Sequence, residues 1–397
     1  MFAPVPLIAY NRTMTNDCII MAGGSGTRLW PASNSKKPKQ FLPFSSNESF
    51  FDSAMERALA ISGESEDGRV IIIAGKSHIP PIIDSCSRLE EDKRKRCLLI
   101  PEPAAKSTAP AIACAVSYAG LVLGKDRNML VLTSDHIIRP AGLFYADAAR
   151  ALSFAARGNL VVFGIPPGGP ETGYGYIEAA EPLSLPEHPP LDRAAPGGRV
   201  YRAASFREKP DREQAEKYLA AGGFYWNSGM FAFSLPFILE EFKRSAPDLL
   251  RPFESLKAPQ EASYRIEGGL RILAEWPGLA RAYGEAPPIS FDYAIAEKCG
   301  RTVMAAANFD WIDVGSWDEY AKLKTGAPSE VYASDSPGCF VDADIPVALC
   351  GVEDLIIAVR SGRDGAPPAV LVAKRGKTQG VKEIVAQIKA TGRTELL

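Results

Sequence analysis

A short apolar strand that runs directly into a glycine loop constrains the fold of this chain more than any other feature. The residues Cys18–Ala22 are apolar throughout, as expected for a strand buried in a parallel sheet. Gly23, Gly24 and Gly26 follow at once, and glycine can adopt positive φ and bring backbone N–H groups close to an anion. The strand and its loop therefore predict an α/β fold with an anion site at the end of the first strand.

The segment after the glycine loop carries fixed positive charge, in the form of Arg28, Lys36, Lys37 and Lys39. A glycine loop followed by cations is the arrangement expected of a polyphosphate site. Two common phosphate motifs do not fit. The Gly-Lys pair of a P-loop is missing after Gly26, and the third glycine of a dinucleotide fingerprint would fall on Leu29. A tight turn beside a solvated basic loop is the alternative that this segment alone leaves open.

Composition narrows the classes of partner. With 397 residues, of which 46% are hydrophobic, the chain can bury a large core, and we expect one large domain and a smaller unit. A net charge of −2 provides no basic surface for nucleic acid or an anionic membrane, so small anions are the expected partners. No apolar run reaches the length of roughly 18 residues that a membrane span requires. Residues 1–16 lack a basic n-region and a clear cleavage site, and we predict a disordered extension there.

The cysteines argue against a disulfide framework or a zinc site. The 7 cysteines are odd in number and scattered, no C-x-x-C motif occurs, and the chain has only 3 histidines. Most of the cysteines lie in apolar segments, such as Cys114 within Ile112–Val116. We therefore expect reduced, buried thiols and a cytoplasmic protein.

Apolar runs alternate with helical patterns along most of the chain. Four runs read as buried strands: Val70–Gly75, Leu98–Ile100, Met129–Leu132 and Leu160–Ile165. Amphipathic segments separate them, beginning with a helix capped near Ser49, and this order predicts a mostly parallel sheet flanked by helices. The region 237–288 is expected to be helical with loops. After residue 325 the pattern changes to short strands and a closing amphipathic helix, so we predict domains at 17–325 and 326–397.

Polar residues follow several of these strands, where a ligand crevice is expected. Asp135 could face a ligand in this crevice or only cap the next segment, and His136 is more typical of an orienting or structural residue. The pair Glu208-Lys209 could hold sugar hydroxyls and a phosphate, or form a plain surface ion pair. Asn227 interrupts an aromatic strand and, as a buried amide, needs polar partners. Asp292 lies in a segment that could be a plain amphipathic helix, and its negative charge would then stabilise the first turn of that helix.

Three segments together resemble the signatures of the sugar-nucleotide pyrophosphorylases, most closely the mannose-1-phosphate guanylyltransferase branch. They are Ile19–Pro43 with Trp30-Pro31 and Pro38-Lys39-Gln40-Phe41, Phe206–Pro210 with its Phe-x-Glu-Lys-Pro pattern, and Trp311–Trp317. The resemblance spans about residues 17–390 and implies a Rossmann-like nucleotidyltransferase fold with a small β-rich C-terminal domain that makes dimer contacts in similar proteins. The chain departs from the family at Lys106-Ser107, where Arg-Asn is usual. A lysine keeps the cation but lacks the planar fork of arginine.

The resemblance also implies a set of site residues. Arg28, Lys39 and Lys209 would act as the catalytic cations. Nucleotide contacts would come from Ala22, Gly23, Gly24, Ser25, Gly26, Thr27, Arg28, Lys39, Lys106, Ser107, Thr108, Pro110, Ser134 and Asp135. Sugar-phosphate contacts would come from Tyr174, Gly175, Glu208, Lys209, Asn227 and Asp292. Asp135 and Asp313 would hold Mg²⁺ or another divalent cation.

The reaction implied by the resemblance joins GTP and mannose 1-phosphate to give GDP-mannose and pyrophosphate in a homodimeric enzyme. Because no histidine follows His188, we expect no isomerase activity of the kind found in bifunctional members. Two alternatives stay open: a pyrophosphorylase for another sugar 1-phosphate or another NTP, and a non-catalytic paralogue that binds a nucleotide sugar and regulates a partner. A dehydrogenase is disfavoured, because Leu29 replaces the third glycine and Lys76 follows the second strand where an acid is needed.

Overall fold

The computed structural model describes residues 14–24, 26–34, 37–45, 48–185, 198–324, 330–362 and 367–397. Most of the predicted N-terminal extension, Ser25, Lys36 and the predicted domain boundary at 325 lie outside the described residues. The first strand, β1, spans Thr15–Met21, so Thr15 and Asn16 belong to the sheet and not to the extension predicted for 1–16. Its side chains bury alternate faces, since Ile19 packs in one core layer and Cys18 and Ile20 in the other.

One large sheet organises the described part of the chain. Its other strands are β2 (Val70–Gly75), β3 (Cys97–Glu102), β4 (Arg127–Thr133), β6 (Leu160–Ile165), β7 (Tyr176–Leu183), β8 (Val200–Arg207), β9 (Phe224–Ser234), β10 (Tyr264–Glu267), β11 (Leu270–Leu273) and β12 (Thr302–Ala306). The spatial order is β10-β11-β3-β2-β1-β4-β9-β6-β12-β8-β7. A separate short pair, β5 (His136–Arg139) and β13 (Asp310–Asp313), lies beyond the end of β4.

The predicted α/β class is confirmed, and the direction of the strands divides the sheet into two parts. From β11 through β3, β2 and β1 to β4 every pairing is parallel. Beyond β4 the sheet is mixed, because β9 runs antiparallel to β4 on one side and to β6 on the other. The parallel part therefore brings the carboxyl ends of β1 to β4 to one edge, where the predicted nucleotide residues lie.

Helices cover both faces of the sheet. They are α1 (Phe50–Gly63), α2 (Ile79–Ser87), α3 (Glu91–Lys95), α4 (Thr108–Tyr118), α5 (Ala141–Ala155), α6 (Arg212–Ala221), α7 (Leu235–Ser245), α8 (Pro247–Glu254), α9 (Leu279–Glu285), α10 (Trp317–Leu323) and α11 (Val381–Ala390). The predicted cap of α1 is confirmed: Ser49 and Asp52 form a reciprocal capping box. These helices hold the strand ends in place around the candidate site.

Two sequence predictions about elements are corrected. The region expected to be helical with loops contains the hairpin β10–β11, and β11 extends the sheet by pairing with β3. The short, mixed pattern of Leu270–Leu273 gave no strand signal, and its pairing with β3 decides the outcome. In addition, α4 was predicted to bury one face, but every residue from Ala109 to Tyr118 is buried. Helix α4 packs between the sheet and α8, which leaves it no solvent side.

The C-terminal unit is β-rich, as predicted. It holds β14 (Val331–Ser334) paired with β16 (Val347–Cys350), and β15 (Phe340–Ala343), β17 (Leu355–Arg360) and β18 (Ala369–Lys374) in a second small sheet. The unit shares a third hydrophobic cluster with the segment after the glycine loop, in which Leu29 and Trp30 pack with Trp317, Val381 and Val385. Trp30 Nε1 also donates to the carbonyl of Leu396 at 2.7 Å. The segment after the glycine loop is therefore packed against the C-terminal unit.

The described residues contain no helix that is long and apolar enough to cross a membrane. All seven cysteines are free thiols, and five of them are buried, as the sequence analysis expected. Cys339 is half-buried and Cys350 is exposed, because both lie in the small C-terminal unit.

Candidate active site

Hydrogen bonds and close packing fix the two ends of the glycine loop. Ala22 directly follows β1, and its carbonyl accepts from His78 Nδ1 at 2.7 Å and from Gln40 Nε2 at 3.3 Å. Gly24 and Gly26 have positive φ, at 94° and 56°. At Gly26 a Cβ atom would lie 2.2 Å from Cβ of Lys39, so only glycine lets the segment that carries Lys39 pack against the loop. Gly23 and Gly24 are exposed, with their backbone turned to solvent.

Lys39 joins the two predicted metal carboxylates. Its Nζ lies 3.0 Å from Oδ2 of Asp135 and 3.1 Å from Oδ1 of Asp313, residues that follow β4 and end β13. Lys39 is almost fully buried, whereas the side chains of Asp135 and Asp313 are 35% and 26% exposed. The two carboxylates thus share one cation, the Lys39 ammonium, and the carboxylates themselves are partly exposed to solvent.

The charges in this cluster stabilise each other. Burial lowers the pKa of Lys39, but the carboxylates of Asp135 and Asp313 outweigh burial, and the pKa is raised. Burial raises the pKa of Asp135, but the Lys39 ammonium outweighs it and lowers the pKa to about 2. At neutral pH the lysine and Asp135 are therefore both ionised. The cluster holds two negative charges around one fixed positive charge.

His136 is an orienting residue in this geometry, in line with the structural interpretation of the sequence. Its Nδ1 accepts from Nε1 of Trp311 at 3.1 Å and also contacts the Thr133 hydroxyl. The Nε2 side faces Oδ1 of Asp135 at 3.7 Å. Because burial lowers the pKa of His136, the ring is neutral at pH 7. The ring lies beside Asp135 and carries no charge of its own.

Arg28 lies at the edge of the same cluster. It belongs to the short 3-10 turn Thr27–Leu29 and is exposed. A Cβ atom on Gly315 would lie 3.4 Å from Arg28 Nη1 and 3.5 Å from Oε2 of Glu319. Glu319 accepts from the Gly315 backbone N–H at 2.6 Å and so holds the loop after Asp313 in place. Arg28 therefore lies beside the second predicted metal carboxylate, with its guanidinium open to solvent.

Two of the predicted nucleotide residues that precede or begin α4 are tied to a neighbouring loop. The Lys106 ammonium donates to the carbonyls of Gly284 and Ala286, each at 3.0 Å. The Thr108 hydroxyl accepts from the Phe291 backbone N–H at 2.8 Å. Ser107 has a positive φ of 72°. Of the other predicted nucleotide residues, Pro110 is buried in the first turn of α4, and Ser134 is buried beside Asp135.

Glu102 is a site residue that the sequence analysis missed. It ends β3, and its Oε2 lies 3.9 Å from where a Cβ atom on Gly23 would be. Tyr283 donates to its Oε1 at 3.2 Å. Burial raises the pKa of Glu102 to about 7. In the sequence, Glu102 lies between two prolines directly after the apolar run Leu98–Ile100, and this position could have indicated a site residue. The prediction instead selected Lys106, four residues later, because of its charge.

The predicted sugar-phosphate residues form a second cluster. Asn227 Nδ2 donates to Oδ1 of Asp292 at 2.7 Å. Lys209, which is largely exposed, pairs with Glu208 at 3.0 Å. A Cβ atom on Gly175 would lie 2.5 Å from Oε2 of Glu208, so the Glu208 carboxylate lies directly against the backbone of Gly175. Burial and then the charge of Glu208 raise the pKa of Asp292 to about 6.

Aromatic rings link the two clusters. Tyr174 packs between Trp226 and Trp311, with ring centroids 5.3 Å and 5.2 Å away. Trp311 is the residue that donates to His136, so one chain of contacts runs from the metal carboxylates to the predicted sugar side. Burial raises the pKa of Tyr174, and the charge of Asp313 adds to this effect. Tyr174 therefore lies close to both clusters.

This fold and this constellation define a nucleotidyltransferase site. The sequence matches the nucleotidyl transferase family over residues 17–329 and the MannoseP isomerase/GMP-like beta-helix domain over residues 329–388. The chain is 36% identical over 387 residues to a mannose-1-phosphate guanylyltransferase of Klebsiella pneumoniae, covering 95% of this chain and 74% of that protein. It is 34% identical over 384 residues to the alginate biosynthesis protein AlgA of Pseudomonas aeruginosa, covering 95% and 73%.

A solved structure agrees with the sequence relatives. The crystal structure named mannose-1-phosphate geranyltransferase from Thermus thermophilus superposes with a TM-score of 0.74 at 27% identity. The match covers 95% of this chain and 100% of that chain. The protein therefore belongs to the nucleotidyl transferase family, in its mannose-1-phosphate guanylyltransferase branch. The resemblance inferred from the sequence motifs is confirmed.

Proposed function

We propose that the protein transfers a guanylyl group from GTP to α-D-mannose 1-phosphate, giving GDP-mannose and pyrophosphate. The relatives named above support the substrates, and one observation supports the chemistry: Asp135 and Asp313 converge on a single cation position beside the glycine loop. In this reaction a sugar-phosphate oxygen attacks the α-phosphorus of GTP, a new P–O bond forms, and the bond to pyrophosphate breaks. Two polyanions must meet, so neutralisation of charge is the main task of the site.

The residues of the chain divide that task. The exposed N–H groups at Gly23 and Gly24, with Arg28, would bind the triphosphate and the departing pyrophosphate. Lys209 would hold the sugar phosphate, while Asn227 and Asp292 would exchange hydrogen bonds with sugar hydroxyls. The attacking phosphate oxygen is already an anion at neutral pH, so no general base is required.

The carboxylate pair fits a divalent cation. Asp135 and Asp313 already share one cation, the Lys39 ammonium, and carboxylate oxygens are the ligands that Mg²⁺ prefers. Among the described residues no third acidic, histidine or cysteine ligand joins them, which suits an ion that takes its other ligands from water and substrate phosphates. When bound, Mg²⁺ would supply a template and Lewis-acid charge for the two phosphates. Lys39 would then be freed from the carboxylates and could turn toward the triphosphate.

Glu102 gives a basis for choosing guanine. An ionised carboxylate offers only acceptors, and the guanine edge presents two adjacent donors, N1–H and the 2-amino group. Glu102 lies at the end of β3 beside Gly23, while Lys106 and Thr108 are engaged with the 284–291 loop. A site built around a half-buried acceptor carboxylate discriminates against bases that leave it unpaired. We therefore assign base selection to Glu102 and the anchoring of this segment to Lys106.

We also propose a cytoplasmic homodimer that forms through the C-terminal unit. Apolar side chains are exposed on its strands, including Tyr332, Val370 and Val372. Light scattering during gel filtration would test the dimer, and charged substitutions at Val370 and Val372 should give a monomer.

A substrate screen tests the reaction itself. Pyrophosphate release is measured with the four NTPs against several sugar 1-phosphates, and we expect GTP with mannose 1-phosphate to give the highest kcat/KM. Preference for another pair would assign the chain to a different pyrophosphorylase. Binding of GDP-mannose without turnover would favour a regulatory paralogue.

A further inference from the structure

A cavity outside the candidate active site is lined by a buried arginine, Arg57, that has no acidic partner among the described residues. The cavity has a volume of about 160 Å³ and lies between α1 and β5, next to the start of α5. Its polar lining comes from Ser53, Arg57, Arg139, Tyr145, Glu48 and Glu56. None of these residues was assigned to the nucleotide, sugar or metal sites above.

Arg57 is only 3% exposed, yet it has no acidic partner among the residues that the structure describes. Its Nη1 donates to the Ser53 hydroxyl at 2.8 Å and its Nη2 to the His136 carbonyl at 3.2 Å. Both acceptors are neutral, and Nε has no acceptor within the described structure. Burial lowers the pKa of Arg57 to about 10, and electrostatic interactions with Tyr145, Glu48 and Glu56 oppose this effect in part.

Arg127 shows how the same chain treats another buried arginine. It is 8% exposed, and its Nη1 donates to both carboxylate oxygens of Asp17, at 2.8 Å and 2.9 Å. A buried charge without such a partner is costly, so it requires another compensation. For Arg57 the space for that compensation is the adjacent cavity.

The other groups of the cavity define the chemistry of an occupant. Arg139 is exposed and stacks over the Phe44 ring at 5.5 Å, which places a second guanidinium at the rim. Two guanidinium groups and the hydroxyls of Ser53 and Tyr145 suit the oxygens of a phosphate group. Glu48 and Glu56 would repel a bare polyanion but could accept hydrogen bonds from hydroxyl groups. We propose that this cavity binds a small phosphate monoester that carries hydroxyl groups, with its phosphate on Arg57 and Arg139.

The cavity is connected to the metal carboxylates through one backbone residue. The carbonyl that accepts from Arg57 belongs to His136, which follows Asp135 in the chain and pairs with Asp313 across β5 and β13. A ligand that draws Arg57 toward the cavity would weaken the hydrogen bond from Arg57 to the His136 carbonyl. Occupancy therefore alters the affinity of the carboxylate pair for a divalent cation. This link, unlike the binding itself, depends on the metal site of the proposed function.

Crystals of the full chain soaked in glycerol 3-phosphate test the site directly. We expect density for the phosphate in the cavity, within hydrogen-bond distance of Arg57 and Arg139. In solution, calorimetry should find two classes of phosphate site, because the glycine loop binds phosphate as well. Arg139→Glu should weaken binding at the cavity site at least tenfold. Arg28→Gln should weaken binding only at the glycine-loop site. Arg212→Glu, on exposed α6, is the matched control and should change neither.

Three results would overturn the proposal: an empty cavity in the soaked crystals, unchanged binding in Arg139→Glu, or binding of inorganic phosphate but not of the ester. Arg57→Lys is a second variant, since Arg57→Met could fail to fold. The connection is tested by the calorimetric affinity for Mg²⁺ with and without glycerol 3-phosphate. We expect a shift of several fold in the wild type and none in Arg139→Glu, and an equal affinity in both conditions would contradict the connection. Loss of Mg²⁺ binding in every condition would instead count against the proposed function.

Discussion

The two halves of the candidate site use the same residue types in opposite electrostatic states. In the phosphate-side cluster, Lys39, Asp135 and Asp313 are held in one ion-paired group, and the pKa of Asp135 is lowered to about 2. In the sugar-side cluster, Asp292 lies near a second acid, Glu208, and its pKa is raised to about 6. The difference arises because Lys39 is buried between its carboxylates, whereas Lys209 is largely exposed. In the proposed function, the first cluster would exchange the Lys39 ammonium for a divalent cation, and the carboxylates of the second would accept hydrogen bonds from sugar hydroxyls.

The largest expected effect is the loss of Asp313. In Asp313→Ala the cation position loses one of its two carboxylates, and we expect kcat to fall by roughly a hundredfold, about 3 kcal/mol, as for a lost transition-state contact. Asp310→Ala is the matched control, because Asp310 is exposed on the same strand. Full activity in Asp313→Ala, measured by pyrophosphate release, would remove Asp313 from the metal site.

Lys39→Ala separates two functions of the lysine. We expect kcat to fall by a similar factor, about 3 kcal/mol, while the affinity for Mg²⁺ rises because the competing ammonium is gone. Calorimetric Mg²⁺ titration and steady-state kinetics measure the two quantities, and circular dichroism checks the fold. Lys37→Ala, an exposed neighbour, serves as the control. Weaker Mg²⁺ binding in Lys39→Ala would show that the lysine and the ion do not compete.

The sugar-side cluster should respond to pH. Asp292 ionises near pH 6, and its ionised form is the better acceptor for a sugar hydroxyl. We expect kcat/KM for mannose 1-phosphate to rise between about pH 5 and 7, and Asp292→Asn to lower it about tenfold at pH 7 and flatten part of this rise. The sugar phosphate also titrates near pH 6, so the comparison of the two proteins, not the wild-type curve, isolates Asp292. Identical pH profiles would exclude the assigned role.

Stability should depend on pH with opposite sign in the two clusters. The pKa of Asp135 is lowered from 3.8 to about 2, so Asp135 contributes stability above pH 4 that is lost as the pH falls toward 2. The pKa of Asp292 is raised from 3.8 to about 6, so its contribution is present at low pH and is lost as the pH rises from 4 to 6. The Tm of Asp292→Asn relative to wild type should therefore increase over that range. The Tm of Asp135→Asn should not, and a parallel course for both variants would contradict the comparison.

The sequence motifs could indicate which residues lie near one another, because residues at the carboxyl ends of neighbouring parallel strands meet at one edge of the sheet. Asp135 follows β4 in the parallel part of the sheet, whereas Asp313 ends β13, which pairs antiparallel with β5. The two residues lie far apart in the chain, yet the family pattern named both, and the structure places both against the Lys39 ammonium. The role of Lys39 could not be foreseen in the same way. Its sequence neighbours suggested a phosphate contact, and only the pairing of β5 with β13 places its ammonium between two acids. Lys106 and Glu102 show the same limit, since contacts with the 284–291 loop and Tyr283 come from distant segments.

By itself the sequence determined the alternation of strands and helices, the glycine loop and the family, because these depend on local periodicity and on conformations that only particular residues adopt. The tertiary structure alone decided which charges are paired, which helix is buried on all sides, and where a buried arginine has no acidic partner among the residues that the structure describes. Pairing and burial depend on distances between residues far apart in the chain. Those distances are set by the packing of the whole sheet and its helices, which no short segment encodes.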